Sequence, residues 1–252
     1  MNDKLHVIMI KLPTRLNLCP IIESVFEIRF DSALDANIIF ALIYGKLKDD
    51  FPTVEPLPLS ELPASMRDAD PNLKYQPAYK LHYKDDENVV LQICAKALGF
   101  SFTPNYCGWN EFSSFVVRYL NKIKEIGVIN NVIRIGFRVI NFIEGDVFDG
   151  RKVNLKISLK ETEIPYKETS IKTVFSDGDC YSTIMIFNEA QLNNVNPVKK
   201  GSVIDIDTFS VNCKHFFEDS HTFLEEVHSA EKKVFFDLLT KDYLNSMQPE
   251  YE

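Results

Sequence analysis

The chain has 252 residues, of which 45% are hydrophobic and 25% charged. That balance excludes a disordered chain and fits one large domain or two small ones. A net charge of −8 argues against a broad phosphate-binding surface, so nucleic acid is not an expected partner. The five Cys (Cys19, Cys94, Cys107, Cys180, Cys213) are odd in number and show no CxxC spacing, which predicts reduced thiols in a cytoplasmic protein. The opening run "MNDKLHVIMIKLP" is too short for a signal peptide or a membrane span, and no membrane segment is expected elsewhere.

The first element lies in "CPIIESVFEIRF". Its alternation predicts a strand over 24–30, with Glu23, Glu27 and Arg29 on the face of Val25. Asp31, Ser32 and Asp35 offer caps for a helix over 35–50, with Ile39, Leu42, Ile43 and Leu47 at helical spacing. Five prolines between 52 and 71 predict a long extended loop. "YKLHYK" and "NVVLQICAKALGFSFTP" read as two strands joined by a hairpin turn at "DDEN". A helix follows, its apolar stripe running from Trp109 to Ile123, with Gly127 as its C-cap. "NNVIRIGFRVINFI" alternates as a strand. The second half predicts strands at "VNLKISLK", "SIKTVFS", "YSTIMIFN" and "SVIDIDTFSV", then one long helix over 220–247.

These elements predict an α+β fold. A mostly antiparallel sheet carries helices packed on one face, and a long C-terminal helix closes the chain. The first half, strand-helix-strand-strand-helix-strand, is compatible with a ferredoxin-like unit. One compact unit over 1–252 is expected, with lobes at 1–145 and 146–252 as the alternative.

Four segments resemble a sporadically distributed family of uncharacterised bacterial proteins. They are "LNLCPIIESVFEIRF", "VIRIGFRVINFI", "VIDIDTF" and the C-terminal "LEEVHSAEKKVFFDLLTKDYLNSMQPE". The residues carried over are Pro20, Glu23, Glu27, Arg29, Arg134, Arg138, Asn141, Asp205, Asp207 and His228. The resemblance implies no agreed activity. The family's patchy distribution implies mobile genes, which often serve conflict between cells, phages and plasmids.

Charged residues recur at alternate positions on three strands: Glu23, Glu27 and Arg29; Arg134 and Arg138; Asp205 and Asp207. Should these strands be neighbours, a cross-strand ladder forms on one face. That face is either a solvated sheet surface or a polar groove for a partner. The three arginines suit bidentate contacts to an anionic group. Asp205 and Asp207 could supply hard oxygens to Mg²⁺, but no His or Lys motif accompanies them and no metal site is expected. His228 is expected to be half-buried beside the apolar stripe, donating to a carbonyl or carboxylate. Cys107, near a helix start, is the cysteine best placed for reactivity, although an incidental thiol is the expectation.

No Gly-rich phosphate loop or strong catalytic motif occurs, no cofactor is expected, and enzymatic activity stays open. The leading expectation is a non-enzymatic interaction protein, a subunit or antitoxin-like regulator in a mobile or phage-defence locus. Its expected associations are a protein partner and a homodimer. The alternative is a phosphate-ligand or metal-binding protein, or a hydrolase or nuclease, working on the charged face.

Overall fold

The computed structural model describes residues 11–251 other than 72, 105, 150–151, 164–168 and 194–196. In chain order the elements are β1 (Arg15–Leu16), β2 (Ile21–Asp31), α1 (Ala36–Leu47), β3 (Thr53–Pro56), α2 (Ala64–Ala69), β4 (Pro77–His82), β5 (Val89–Cys94), β6 (Ala97–Phe102) and α3 (Trp109–Lys124). Then come β7 (Asn131–Glu144), β8 (Ser158–Leu159), β9 (Thr162–Glu163), β10 (Ser170–Asp177), β11 (Cys180–Leu192), β12 (Lys199–Ser210), α4 (Ser220–Leu238), α5 (Lys241–Ser246) and β13 (Pro249–Glu250).

Nine strands form one antiparallel sheet in the order β10-β11-β12-β7-β2-β6-β5-β4-β3. The fold is α+β, as the hairpin-rich pattern predicts. Strand β6 lies between β2 and β5, which run parallel to each other and are separated in sequence by α1. This is a split βαβ arrangement, to which β3 and β4 add a hairpin at the edge. Among the described residues, no helix is long and apolar enough to cross a membrane.

Register follows from burial. Phe26, Ile28 and Phe30 of β2 point to the helix side and are fully buried. They meet Ile135, Phe137 and Val139 of β7, Leu98 and Phe100 of β6, and the buried stripes of α1, α3 and α4. Each such side chain contributes about 1.5–3 kcal/mol by leaving water. A slip of one residue would turn Glu27 and Arg29 into this core, so the pairing of β2 is strongly specified. Helix α1 starts at Asp35, whose carboxylate accepts from the Asn37 backbone N–H at 2.8 Å. Asp219 caps α4 in the same way, accepting from Thr222 at 3.2 Å.

Four expectations need correction. Residues 88–104 are not one strand but the hairpin β5–β6. The turn at Ala95 and Lys96 contains neither Gly nor Pro. Tertiary bonds hold it: Lys96 N–H donates to Lys74 O, Phe30 N–H donates to Lys96 O, and Lys96 Nζ reaches Ser32 O at 2.7 Å. "VNLKISLK" does not join the main sheet. Among the described residues, Val153 forms a lone bridge to Leu239, and β8 pairs only with β9. That bridge also breaks the expected C-terminal helix. Asn154 N–H donates to Leu238 O at 2.7 Å and Thr240 N–H to Lys152 O at 2.9 Å, so the chain is extended there and Thr240 caps a new helix, α5. The proline-rich segment is not wholly loop, since β3 forms the sheet edge and α2 follows it.

Candidate functional site

Helices α1, α3 and α4 all pack against one side of the sheet. The other side carries the charged residues of β2, β7 and β12 around a concave groove of about 480 Å³. The registers place Glu27 opposite Gly136, Val25 opposite Arg138, and Arg138 opposite Asp207. The three alternating segments are therefore neighbours, and their side chains connect.

Arg138 grips Asp205 with two bonds, Nε at 2.8 Å and Nη2 at 2.6 Å. Such forked contacts are the stronger kind of charged hydrogen bond. Asp205 is buried, with only 5% of its side chain exposed, while Arg138 is 45% exposed. The Asp205 hydrogen bonds push the Arg138 guanidinium above its ordinary range. Arg134 bridges two acids, reaching Glu27 at 2.8 Å and Asp207 at 2.7 Å. Arg29 adds a third contact, to Glu27 at 2.7 Å.

Arg134 can lie flat on the sheet because residue 136 is glycine. A Cβ there would stand 2.7 Å from Arg134 Nη1. The guanidinium also covers the Phe209 ring at 4.4 Å, and Arg29 covers Tyr75 at 4.3 Å. Burial pushes the Asp207 carboxyl up; Arg134 pulls it down and Glu27 pushes it up again.

Two charges in the groove lack an ion pair among the described residues. Glu23 accepts only from Ser101 Oγ, at 2.9 Å. Lys172 on β10 lines the groove and is exposed.

Asn141 and His228 do not belong to this surface. They lie on the helix side, in a second cavity of about 760 Å³ between the segment leading into β2, the start of α3, and α4. His228 stacks on Trp109 at 3.7 Å between ring centroids, with the planes 8° apart. Contrary to expectation it has no hydrogen bond among the described residues, and its nearest carboxylate, Glu225, is 3.9 Å away. Trp109 Nε1 takes that carboxylate instead, at 2.5 Å. Burial, with Lys232 nearby, pulls the His228 imidazole down to about 3, so it is neutral. Cys107 is no activated thiol, because burial and Glu111 push it up to about 11.

Sequence reasoning missed Glu231. It sits on the buried face of α4 with Leu224, Val227, Val234 and Phe235. Its spacing from Val227 and Val234 was the available signal, an acid within an apolar stripe. The roles of Gly136, Tyr75 and Phe209 in the groove had no such mark.

No protein-family model matches the chain, and no curated protein is similar to it.

Proposed function

We propose that the open sheet face is the binding surface of a cytoplasmic interaction protein. Its occupant is a polypeptide segment that presents a basic side chain to Glu23 and an acidic one to Lys172. The observation that carries this reading is the charge pattern of the groove. Asp205, Asp207 and Glu27 are already answered by arginines, while Glu23 on β2 and Lys172 on β10 make no ion pair among the described residues.

These two residues occupy one cross-strand row, through Ile140, Asp205 and Met185. Four strand spacings of about 4.8 Å separate them by about 19 Å. At about 3.3 Å per residue, an extended segment of about six residues spans that gap. Complementary charges at fixed spacing select a partner and its direction more than they add raw affinity. In this reading the protein is a subunit or antitoxin-like regulator of a mobile or phage-defence locus. The resemblance of four of its segments to the family supports that context.

The rival reading, a phosphate or metal site on the same face, fits the geometry less well. Arg134 and Arg138 already hold carboxylates, which leaves an incoming phosphate Lys172 as the cation of the groove without an ion pair among the described residues. A divalent cation at Asp205 and Asp207 must sit against two guanidinium groups.

Affinity purification from the native host, with bound proteins identified by mass spectrometry, tests the proposal. One protein recovered in near-equal amount is expected. Its retention should fall in Glu23→Lys and in Lys172→Glu, and fall further in the double variant. Retention unchanged in both single variants removes the interface from this face. Thermal stabilisation by Mg²⁺ or nucleotides, with no partner recovered, favours the rival.

A further inference from the structure

The main sheet has two edge strands of unlike character. At one edge β3 is only 4 residues long, contains Pro56 and turns Glu55 to water. Short length, proline and charge are the devices that keep a sheet edge from pairing. At the other edge β10 runs for 8 residues, Ser170–Asp177, without a proline. Its pairing with β11 is unbroken from Ser170 opposite Phe187 to Asp177 opposite Cys180, so no bulge turns it away. Ile171, Thr173, Val174 and Phe175 are strand-forming residues, and Val174 is 56% and Phe175 39% exposed. Among the described residues no strand pairs with the outer side of β10.

The hairpin fixes which backbone groups that outer side presents. Gly178 and Asp179 form the loop, Asp177 and Cys180 close it, and the closing pair of such a loop is hydrogen-bonded. Bonded and unbonded pairs alternate from there. Asp177, Phe175, Thr173 and Ile171 therefore bond to β11. Ser176, Val174, Lys172 and Ser170 turn their N–H and C=O groups outward. A row of this kind accepts another extended strand.

The side chains of β10 suit a second β10. A two-fold axis normal to the sheet makes the two strands antiparallel and keeps like faces on the same side. With the axis at Thr173, that residue meets its own copy, Ile171 meets Phe175, Ser170 meets Ser176, and Lys172 meets Val174. Hydroxyl pairs and aromatic–β-branched pairs are favourable across a ladder, and the Lys172 stem covers the exposed Val174. An axis at Lys172 would set two like charges directly opposite, and an axis at Val174 would set Ile171 against Asp177.

We propose that the protein forms a symmetric homodimer through β10, joining two main sheets into one. Each outward N–H and C=O from Ser170 to Ser176 then has its partner in the other copy. Both charged faces open to the same side, and Val174 of one copy stands beside Lys172 of the other, which lines its groove. The inference stands whatever occupies that groove. A single strand pair buries less than the about 1,000 Å² expected of a stable interface, so the dimer is weak and concentration-dependent. Each copy carries a net charge of −8, and the two Lys172 side chains are diagonal neighbours, so added salt strengthens the association.

Sedimentation velocity on the full chain, from roughly 1 to 200 µM, tests the proposal. Monomer is expected at the low end and dimer at the high end, with a dissociation constant that falls severalfold as salt is added. Val174→Pro removes one outward N–H, leaves the β11 ladder intact and should weaken the dimer at least tenfold. Thr173→Lys places like charges across the axis and should do the same, which decides the matter should the proline variant fail to fold. Thr173→Cys reads the register. Its thiols would meet at an unbonded pair with Cα atoms about 4.5 Å apart, within disulfide reach. With the exposed Cys19 and Cys107 removed as Cys19→Ser and Cys107→Ser, it should oxidise to a covalent dimer faster than Val174→Cys does. A chain that stays monomeric throughout the concentration range, or a dimer undiminished by both Val174→Pro and Thr173→Lys, overturns the proposal. Faster coupling by Val174→Cys overturns the axis at Thr173.

Discussion

The two faces of this sheet treat buried acids in opposite ways. On the open face Asp205 is 5% exposed and held by both nitrogens of the Arg138 fork. On the helix face Glu231 is equally buried but stands among Tyr106, Phe235 and the stacked Trp109–His228 pair, and keeps its proton near neutral pH. Burial alone does not set the state of a carboxyl. A guanidinium at hydrogen-bonding distance pulls the other way and offsets part of the lost hydration, as Arg134 does for Asp207, whose carboxyl burial still pushes up. The same strand, β7, supplies residues to both faces: Arg138 to one and, three positions later, Asn141 to the other.

The largest effect expected from this contrast comes from removing the partner of Asp205. In Arg138→Met the carboxylate stays buried without its fork. Stability in urea should fall by about 3 kcal/mol, the lower end of the range for such losses, because Arg138 itself is half wet. Adding Asp205→Asn removes the stranded charge and should recover much of that loss. A drop below about 1 kcal/mol in the single variant would mean that water reaches Asp205 freely, and the contrast between the faces would collapse.

The helix face predicts a pH profile. The folded-state value of His228, about 3, lies below its ordinary 6.5. Its contribution is therefore complete above pH 6.5 and is lost as pH falls toward 3. The folded-state value of Glu231, about 8, lies above its ordinary 4.5, so its contribution is complete below pH 4.5 and is lost as pH rises to 8. The two oppose each other between 4.5 and 6.5, and stability should be flat there. From pH 6.5 to 8 only Glu231 changes. One proton at about 1.4 kcal/mol per pH unit gives a fall of about 2 kcal/mol. Urea midpoints across this range should show the fall in the native chain and not in Glu231→Gln. An equal fall in the variant would assign it to other groups.

Much of the open face was legible from sequence, and little of the cavity was. Alternation on β2, β7 and β12 has period two, so Glu27, Arg134 and Asp207 declare their faces without any knowledge of pairing. Which strands are neighbours is a long-range fact that alternation does not carry, and neither is the flat path of Arg134 over Gly136. Asn141 and His228 are carried over by a family resemblance that assigns them no sheet face. Asn141 differs from Arg138 by an odd number of positions, and β7 turns it to the other side. Glu231 is one of several charges on α4, and nothing local marks it as the buried one. The hairpin turn at Ala95 and Lys96 left no signal, since tertiary bonds rather than turn residues hold it.

Gly136→Ala probes the ladder more gently. The new methyl would meet Arg134 Nη1, the far end of a flexible side chain, so the guanidinium moves rather than the backbone. That displacement costs the contacts to Glu27 and Asp207. Alanine returns about 0.5–1 kcal/mol relative to glycine in a strand. A net loss of about 1 kcal/mol in urea is expected, since charged hydrogen bonds are worth about 1.5–3 kcal/mol each before exposure is allowed for. A net gain would show that Arg134 contributes less to the ladder than the backbone freedom of glycine costs.

The smallest effect belongs to an ion pair whose contact distance matches that of the strongest. Lys233 of α4 meets Asp177 at the end of β10 at 2.6 Å, the separation of Arg138 Nη2 from Asp205. Both Lys233 and Asp177 are more than half exposed. Water and salt screen them, and holding a lysine in place costs rotamer entropy. Lys233→Ala should change stability by no more than about 0.5 kcal/mol, and that change should vanish in high salt. Set beside Arg138→Met under identical conditions, it isolates the variable that matters, because length is equal in the two pairs while burial and the second hydrogen bond are not. Equal losses from both variants would leave distance as the only determinant and remove the physical basis for distinguishing the two faces.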